Sequence, residues 1–262
     1  MKIKEITNYL ETVAPLSYQE EYDNCGLLVG DKNSIVKGVL VTLDCTEAII
    51  NEAIETGCNL IIAHHPIIFK GLRKLNGSNY IERTVIKAIK NNIAIYAMHT
   101  NLDNVHNGVS AKIAEKLSLK NCVILSIKAE KHNSNVGAGI FGELDELIES
   151  KIFLKNLKTI LKTDCVRYTS LVKSHVKKVA VCGGSGSFLI NKAKAQNADI
   201  YISADFKYHE FFDAEDNMII ADVGHYESEQ FTKDLIYDFL TKKFTKFAVQ
   251  LSKVNTNPIK YI

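Results

Sequence analysis

The sequence predicts an α/β protein with mainly parallel sheets. Three observations carry this. Short apolar runs that read as strands buried on both faces alternate with amphipathic helical patterns. The alternation runs β-α-β-α-β, as right-handed crossovers in a parallel sheet require. The same kind of alternation returns in the C-terminal half, although the two halves share no convincing sequence repeat.

The elements follow in order. Gly38 to Asp44 reads as a buried strand. Thr46 to Thr56 is a helix with Ile49, Ile50, Ala53 and Ile54 on one face, and Gly57 stands where a C-terminal cap belongs. The strand Asn59 to Ala63 leads into His64 and His65. A helix from Tyr80 to Asn91 turns Ile81, Val85, Ala88 and Ile89 inward, and the strand Ile93 to Met98 leads into His99. In the second half Lys178 to Cys182 is a strand, followed by a glycine loop, Gly183 to Ser187. Next come a helix from Phe188 to Gln196, a strand from Asp199 to Ser203 and a short helix from Tyr208 to Ala214. The strand Met218 to Val223 leads into His225, a long helix covers Glu227 to Lys242, and a last strand, Phe247 to Leu251, closes a sheet. Residues 124–176 are less periodic. They include the polar stretch Lys128 to Asn135 and are the best place for a domain junction.

Composition narrows the function. With 262 residues, 46% of them hydrophobic and 24% charged, the chain has room for one large domain or two joined ones. A net charge of +2 gives no electrostatic reason to bind a nucleic-acid polymer. The N-terminus has no apolar signal core and no apolar run is long enough to span a bilayer, so a cytoplasmic protein without a membrane partner is expected. The six cysteines form no C-x-x-C pair and read as reduced thiols in or near the core.

The chemistry gathers where strands end, as it does in open α/β sheets. The pair His64-His65, followed by Pro66, closes an apolar strand. Alone it is either two metal ligands or two ordinary histidines at a strand-to-loop junction. Its neighbours at other strand ends favour ligands: His99 with Asp103 four residues on, and His225 with Glu229 four residues on. Glu229 falls in a first helical turn, where the dipole favours a carboxylate. Three histidines, or four with His99, and two carboxylates suit Zn, Fe or Mn rather than a thiolate-preferring ion. Five or six ligands exceed one tetrahedral ion and suit two ions sharing a bridging carboxylate. Other readings stay open for the neighbours. Asp44 caps a helix or supports the site, and His99 is a ligand or a ligand's partner. The Gly183–Ser187 loop cradles a phosphate or makes a tight turn. Lys207, Tyr208 and His209 contact a substrate or face solvent.

These residues fall in ordered motifs: Tyr22-Asp23-Asn24-Cys25-Gly26-Leu27-Leu28-Val29-Gly30, Thr42-Leu43-Asp44, His64-His65-Pro66 and His99-Thr100-Asn101-Leu102-Asp103. Later come Cys182-Gly183-Gly184-Ser185-Gly186-Ser187, Ser203-Ala204-Asp205-Phe206-Lys207-Tyr208-His209 and Gly224-His225-Tyr226-Glu227-Ser228-Glu229. Nearly the whole chain resembles the NIF-three-like dinuclear metal-centre proteins, also called GTP cyclohydrolase 1 type 2 homologs. Tyr22 stands where that family usually has Trp. The resemblance implies the short form, without the inserted domain of some relatives, and two interwoven α/β domains. We draw these as a metal-binding domain of residues 1–125 with 214–262, and a second domain of residues 126–213. It further implies a ring-shaped homohexamer and two divalent metal ions per subunit, held by His64, His65, Asp103, His225 and Glu229. One ion would take His65, Asp103 and Glu229, the other His64 and His225, with Glu229 bridging.

The activity this resemblance implies is hydrolysis of a nucleotide, with water opening the imidazole ring of GTP. His99 would carry a proton, and Lys207, Tyr208 and His209 would contact the substrate. A phosphoester substrate suits the same residues. The alternative is a non-catalytic hexameric metal-binding scaffold or regulatory interaction protein.

Overall fold

Leu60-Ile61-Ile62-Ala63 shows how the sequence makes this fold. Four apolar residues in succession are fully buried, so both faces of the strand must be covered. The computed structural model of the chain describes residues 1–128, 135–245 and 247–262. Most of the polar stretch Lys128–Asn135 therefore lies outside the described residues. The chain divides into two units, residues 1–102 with 232–258, and residues 103–231 with 259–262.

In the first unit the strands are β1 (Gly26–Val29), β2 (Val39–Thr42), β3 (Leu60–Ala63) and β4 (Ala94–Ala97), with the chain's last strand, β11 (Val249–Leu251). Their order is β1-β4-β3-β2-β11, parallel throughout except for β1 against β4. Helix α1 (Ile3–Val13) precedes the strands, and α2 (Glu47–Glu55) and α3 (Tyr80–Lys90) make the crossovers. Ile49, Ile50 and Ala53 of α2 join Val85 and Ala88 of α3 in one core with Ile61, Ala63 and Ile95 of the strands. Helix α3 starts where it does because the Asn79 side chain accepts the Glu82 amide at 3.0 Å, and the Glu82 carboxylate in turn accepts the amides of Asn76 and Ser78. Gly57, at φ +70°, ends the turn after α2.

The second unit holds β5 (Lys120–Ile127), β6 (Gly137–Glu149), β7 (Arg167–Tyr168), β8 (His175–Ser185), β9 (Ile200–Ala204) and β10 (Ile219–Asp222), in the order β5-β6-β8-β9-β10-β7. Only β8, β9 and β10 run parallel; the other three pairings are antiparallel. The short helix α4 (Thr100–Asp103) belongs to the first unit up to Leu102, and the second unit, starting at Asp103, holds α5 (Val109–Lys116), α6 (Ser150–Ile160) and α7 (Ile190–Ala195). Residues of β8 alternate between two cores. Val179 and Val181 pack with Phe153, Leu154 and Leu157 of α6, and Ala180 and Cys182 pack with Ile190 and Ala193 of α7.

Several expectations change. The described residues between 124 and 176 supply the end of β5, β6, α6, β7 and the start of β8 rather than a junction. Long-range antiparallel pairing organises this stretch, and its half-exposed strands lack the apolar runs of β3. Residues 103–125 and 214–231, drawn with the first domain, fall in the second unit because β5 pairs with β6 and β10 with β9. Gly183 to Ser185 continue β8 across a register shift rather than forming a free loop. The long helix at Glu227–Lys242 is two helices, α8 (His225–Glu229) and α9 (Thr232–Lys243), and the unit boundary lies between Phe231 and Thr232. The last strand is shorter than expected and lies beside β2. Cys165 is exposed, whereas Cys45, Cys58 and Cys182 are buried. Among the described residues no helix is long and apolar enough to cross a membrane.

Candidate metal centre

In the first unit three imidazoles meet at the carboxyl ends of neighbouring strands. His64 and His65 follow β3, and their amides donate to the Leu43 carbonyl beyond β2 at 3.0 and 2.9 Å. His99 follows β4. The ring centroids lie 4.9 Å (His64–His65), 5.3 Å (His64–His99) and 5.4 Å (His65–His99) apart. One ring nitrogen from each lies within 4.8 Å of the others.

Each ring is held by an acceptor that fixes its tautomer. His64 Nδ1 donates to the Met98 carbonyl at 2.7 Å. A carbonyl can only accept, so the proton sits on Nδ1 and the lone pair of the neutral ring on Nε2. His65 Nδ1 lies 2.7 Å from Asp44 Oδ1, and Asp44 Oδ2 accepts the Thr256 hydroxyl at 2.5 Å. Thr46, not Asp44, occupies the N-cap position of α2, so Asp44 supports the site rather than capping the helix. His99 Nδ1 lies 2.9 Å from Asp23 Oδ1. Burial pushes the Asp23 carboxyl up, but hydrogen bonds from His99 and Thr100 outweigh it and hold the group well below the usual carboxylate range.

In the second unit a histidine stands between two carboxylates. Asp205 directly follows β9 with a positive φ of +59°, and its Oδ2 lies 2.7 Å from His225 Nδ1. His225 starts α8, and Glu229 lies one turn on, with Oε2 3.1 Å from His225 Nε2. Burial lowers the His225 pKa, but the hydrogen bonds to Asp205 and Glu229 more than reverse it, to about 11. Glu229 is buried, and β8 is shaped around it. Gly184 has φ +63°, and a Cβ there would stand 2.3 Å from Glu229 Oε1. The Gly184 amide donates to Ser228 Oγ at 2.9 Å and the Gly183 amide to Ser110 Oγ at 3.4 Å, so these amides serve packing rather than a phosphate. Asp103 ends α4. The buried Cys182 thiol senses both carboxylates: burial first, then the charges of Asp103 and Glu229, push it up to about 12.

The donor set fits divalent ions. The first unit offers imidazoles whose Nδ1 atoms are held by fixed acceptors, and the second offers a buried carboxylate beside an imidazole in a glycine-lined recess; imidazole and carboxylate donors suit borderline divalent ions. Lys207, Tyr208 and His209 are exposed, at a 3₁₀ turn spanning Tyr208–Ala214. The Tyr208 ring lies 5.1 Å from His209 and 5.5 Å from Phe212. Tyr208 also lines a cleft of about 670 Å³ with Tyr168, Phe211, Phe212 and Arg167; Lys207 and His209 stand outside that lining. Arg167 is pinned there by Asp222 and by the Phe206 carbonyl.

Sequence reasoning left three supports unassigned to the site. Asp23 and Asp205 lie inside the quoted motifs, one before the first glycine strand and one at a strand end. Thr256 has no such signal, since 212 positions separate it from Asp44.

This is an α/β protein with imidazoles and carboxylates set at strand ends in each of two units. It belongs to the Duf34/NIF3 (NGG1p interacting factor 3) family, whose model matches residues 1–258. A "GTP cyclohydrolase 1 type 2 homolog" of Clostridium acetobutylicum is 35% identical over 230 residues, 87% of this chain and 85% of that protein. One of Campylobacter jejuni is 34% identical over 265 residues and all of both chains. The crystal structure of Staphylococcus aureus protein SA1388 superposes with a TM-score of 0.91 at 31% identity, covering 100% of this chain and 99% of that one.

Proposed function

We propose that His64, His65, Asp103, His225 and Glu229 hold two divalent metal ions, Zn, Fe or Mn, and that the protein is a metal-dependent hydrolase of a nucleotide, of the GTP cyclohydrolase type. The observation that carries this reading is the convergence of His64, His65 and His99 nitrogens within 4.8 Å, with the His64 lone pair fixed on Nε2. The names of the relatives supply the substrate class. Bound divalent ions would supply Lewis-acid polarisation and lower the pKa of a coordinated water. The chain's own residues do the rest. Asp23 orients His99, whose Nε2 is then placed to accept a proton and pass it on. The Tyr208 face of the cleft offers stacking area for the planar part of a substrate. Lys207 and His209, at the same exposed turn, would contact its charged part. We further infer a ring-shaped homohexamer in the cytoplasm.

The test is an assay of metal-loaded protein against a panel of nucleoside triphosphates and phosphoesters, with His65→Ala and Glu229→Ala in parallel. Turnover that rises with metal occupancy and disappears in both variants supports the hydrolase. Stoichiometric metal binding with no turnover of any panel member overturns it and leaves the non-catalytic scaffold.

A further inference from the structure

We propose that Thr256 is a positioning residue for metal ligation by His65, acting through Asp44. The inference rests on the metal-binding reading above. Asp44 has one oxygen committed to each neighbour: Oδ1 lies 2.7 Å from His65 Nδ1, and Oδ2 accepts the Thr256 hydroxyl at 2.5 Å. A carboxylate gripped on one oxygen cannot rotate without breaking that bond. Asp44 therefore presents Oδ1 to the imidazole in one orientation, which keeps the His65 proton on Nδ1 and its lone pair on Nε2. A carboxylate partner also makes the imidazole a stronger donor to a cation.

The segment carrying Thr256 is anchored without it. Ser252 donates its hydroxyl to Glu52 Oε2 at 2.5 Å, and the Lys253 amide donates to Glu52 Oε1 at 2.7 Å. Val254 packs against the core of the first sheet. Glu52 belongs to α2, so residues 252–254 are docked before the chain reaches Thr256, and the Asn257 amide closes a local turn on Asn255 Oδ1 at 2.9 Å. The Thr256 hydroxyl is thus free of the duty of holding the tail and is directed at Asp44. Met98 gives His64 a different support, a backbone carbonyl that no side-chain substitution removes. His65 is held instead by a side chain, Asp44, which is itself held by a remote one.

The test compares wild type with Thr256→Val, Thr256→Ser and Asp44→Asn, using the full chain. Zn²⁺ affinity is read by competition with a chromophoric chelator, and the visible absorption of the Co²⁺-substituted protein reports ligand geometry. Melting of the metal-free proteins controls for folding. Thr256→Val should weaken Zn²⁺ about fivefold and alter the Co²⁺ spectrum, with the metal-free melting point little changed. Thr256→Ser should restore both, and Asp44→Asn should weaken Zn²⁺ by about 10- to 100-fold. Wild-type affinity and spectrum in Thr256→Val overturn the proposal. Should Thr256→Val fail to fold, the result passes to the other two variants: Asp44→Asn at wild-type affinity overturns it, as does Thr256→Ser with the weakening of Asp44→Asn. If wild type itself binds no Zn²⁺ or Co²⁺, the metal reading fails, and this proposal with it.

Discussion

Asp205 Oδ2 stands 2.7 Å from His225 Nδ1, at the end of a strand where Asp205 adopts φ +59°. A non-glycine residue rarely takes that conformation without a reason. Here it turns the carboxylate onto the imidazole, while Glu229 faces the other ring nitrogen at 3.1 Å. Two carboxylates on one ring favour the imidazolium, and the proton on Nε2 occupies the place a cation would take.

Proton release on metal binding follows. With its pKa raised to about 11, His225 carries its second proton at pH 8 in the metal-free protein. A metal ion bound through Nε2 must displace that proton. Zn²⁺ added at pH 8 should therefore release about one proton from this group. Calorimetry in buffers of different ionisation enthalpy measures it, and Glu229→Gln should reduce it. No buffer dependence in wild type would count against His225 as a ligand. The sign for stability is also fixed. The folded pKa lies above the ordinary value of 6.5, so the stabilisation from His225 is complete below pH 6.5 and fades as pH rises towards about 11. The melting-point difference between metal-free wild type and His225→Gln should shrink over that window.

Gly184→Ala should damage the site more than the fold. Its φ of +63° costs an alanine about 1 kcal/mol, and the new Cβ would meet Glu229 Oε1 at 2.3 Å. Gly57 is the control, at φ +70° with nothing within 4 Å. Both variants should melt lower in the metal-free state. Only Gly184→Ala should also lose Zn²⁺ affinity, because only there does the side chain push a ligand out of place. Equal affinities in the two variants would show that Glu229 does not depend on this recess.

Much of this was legible in sequence where chemistry and chain order coincide. His64, His65 and His99 end apolar strands, and a buried parallel strand announces itself by four consecutive aliphatic residues, as in Leu60–Ala63. The i, i+4 spacing of His225 and Glu229 also carried through, because one helical turn brings them together. Antiparallel pairing was not legible: β6 carries Glu143, Asp145 and Glu146, so it lacks the apolar run that marks β3. Gly183–Ser187 reads as a loop because glycine weakens a strand pattern, yet the absence of a side chain at Gly184 is what makes room there for Glu229. Thr256 was invisible for a simpler reason: nothing local distinguishes a threonine that reaches Asp44 from one that faces water.

Asp23→Asn should loosen His99 and change the protein's response to acid. The Asp23 carboxylate accepts from His99 at 2.9 Å, from the Thr100 amide at 3.0 Å, from the Thr100 hydroxyl and from its neighbour's amide, Asn24, at 2.7 Å. Its side chain is fully buried beside His99. An amide keeps one acceptor oxygen and places a donor where a donor already points, so the substitution should cost about 1–3 kcal/mol. Because the folded pKa is depressed, the carboxylate's stabilisation is complete above the ordinary value of 3.8 and is lost as pH falls below it. Chemical denaturation of wild type and variant from pH 7 down to pH 3 should show a gap that narrows at the acid end. A constant gap would mean the charge on Asp23 contributes nothing.

Thiol reactivity should rank the cysteines by burial. Cys165 is exposed, and Cys45 and Cys182 are buried with thiols pushed up to about 12, first by burial and then by nearby carboxylates: Asp44 for Cys45, Asp103 and then Glu229 for Cys182. Only the thiolate attacks an alkylating reagent. Brief iodoacetamide treatment of native protein at pH 8, followed by peptide mass spectrometry, should label Cys165 first and leave Cys45 and Cys182 unmodified until denaturant is added. Cys182 also reports on its neighbours. Glu229→Gln removes one of the charges that hold its thiol protonated, but burial is the larger cause, so that variant should label no faster while folded. Fast labelling of Cys182 in the folded variant would show instead that Glu229 holds β8 closed over the core.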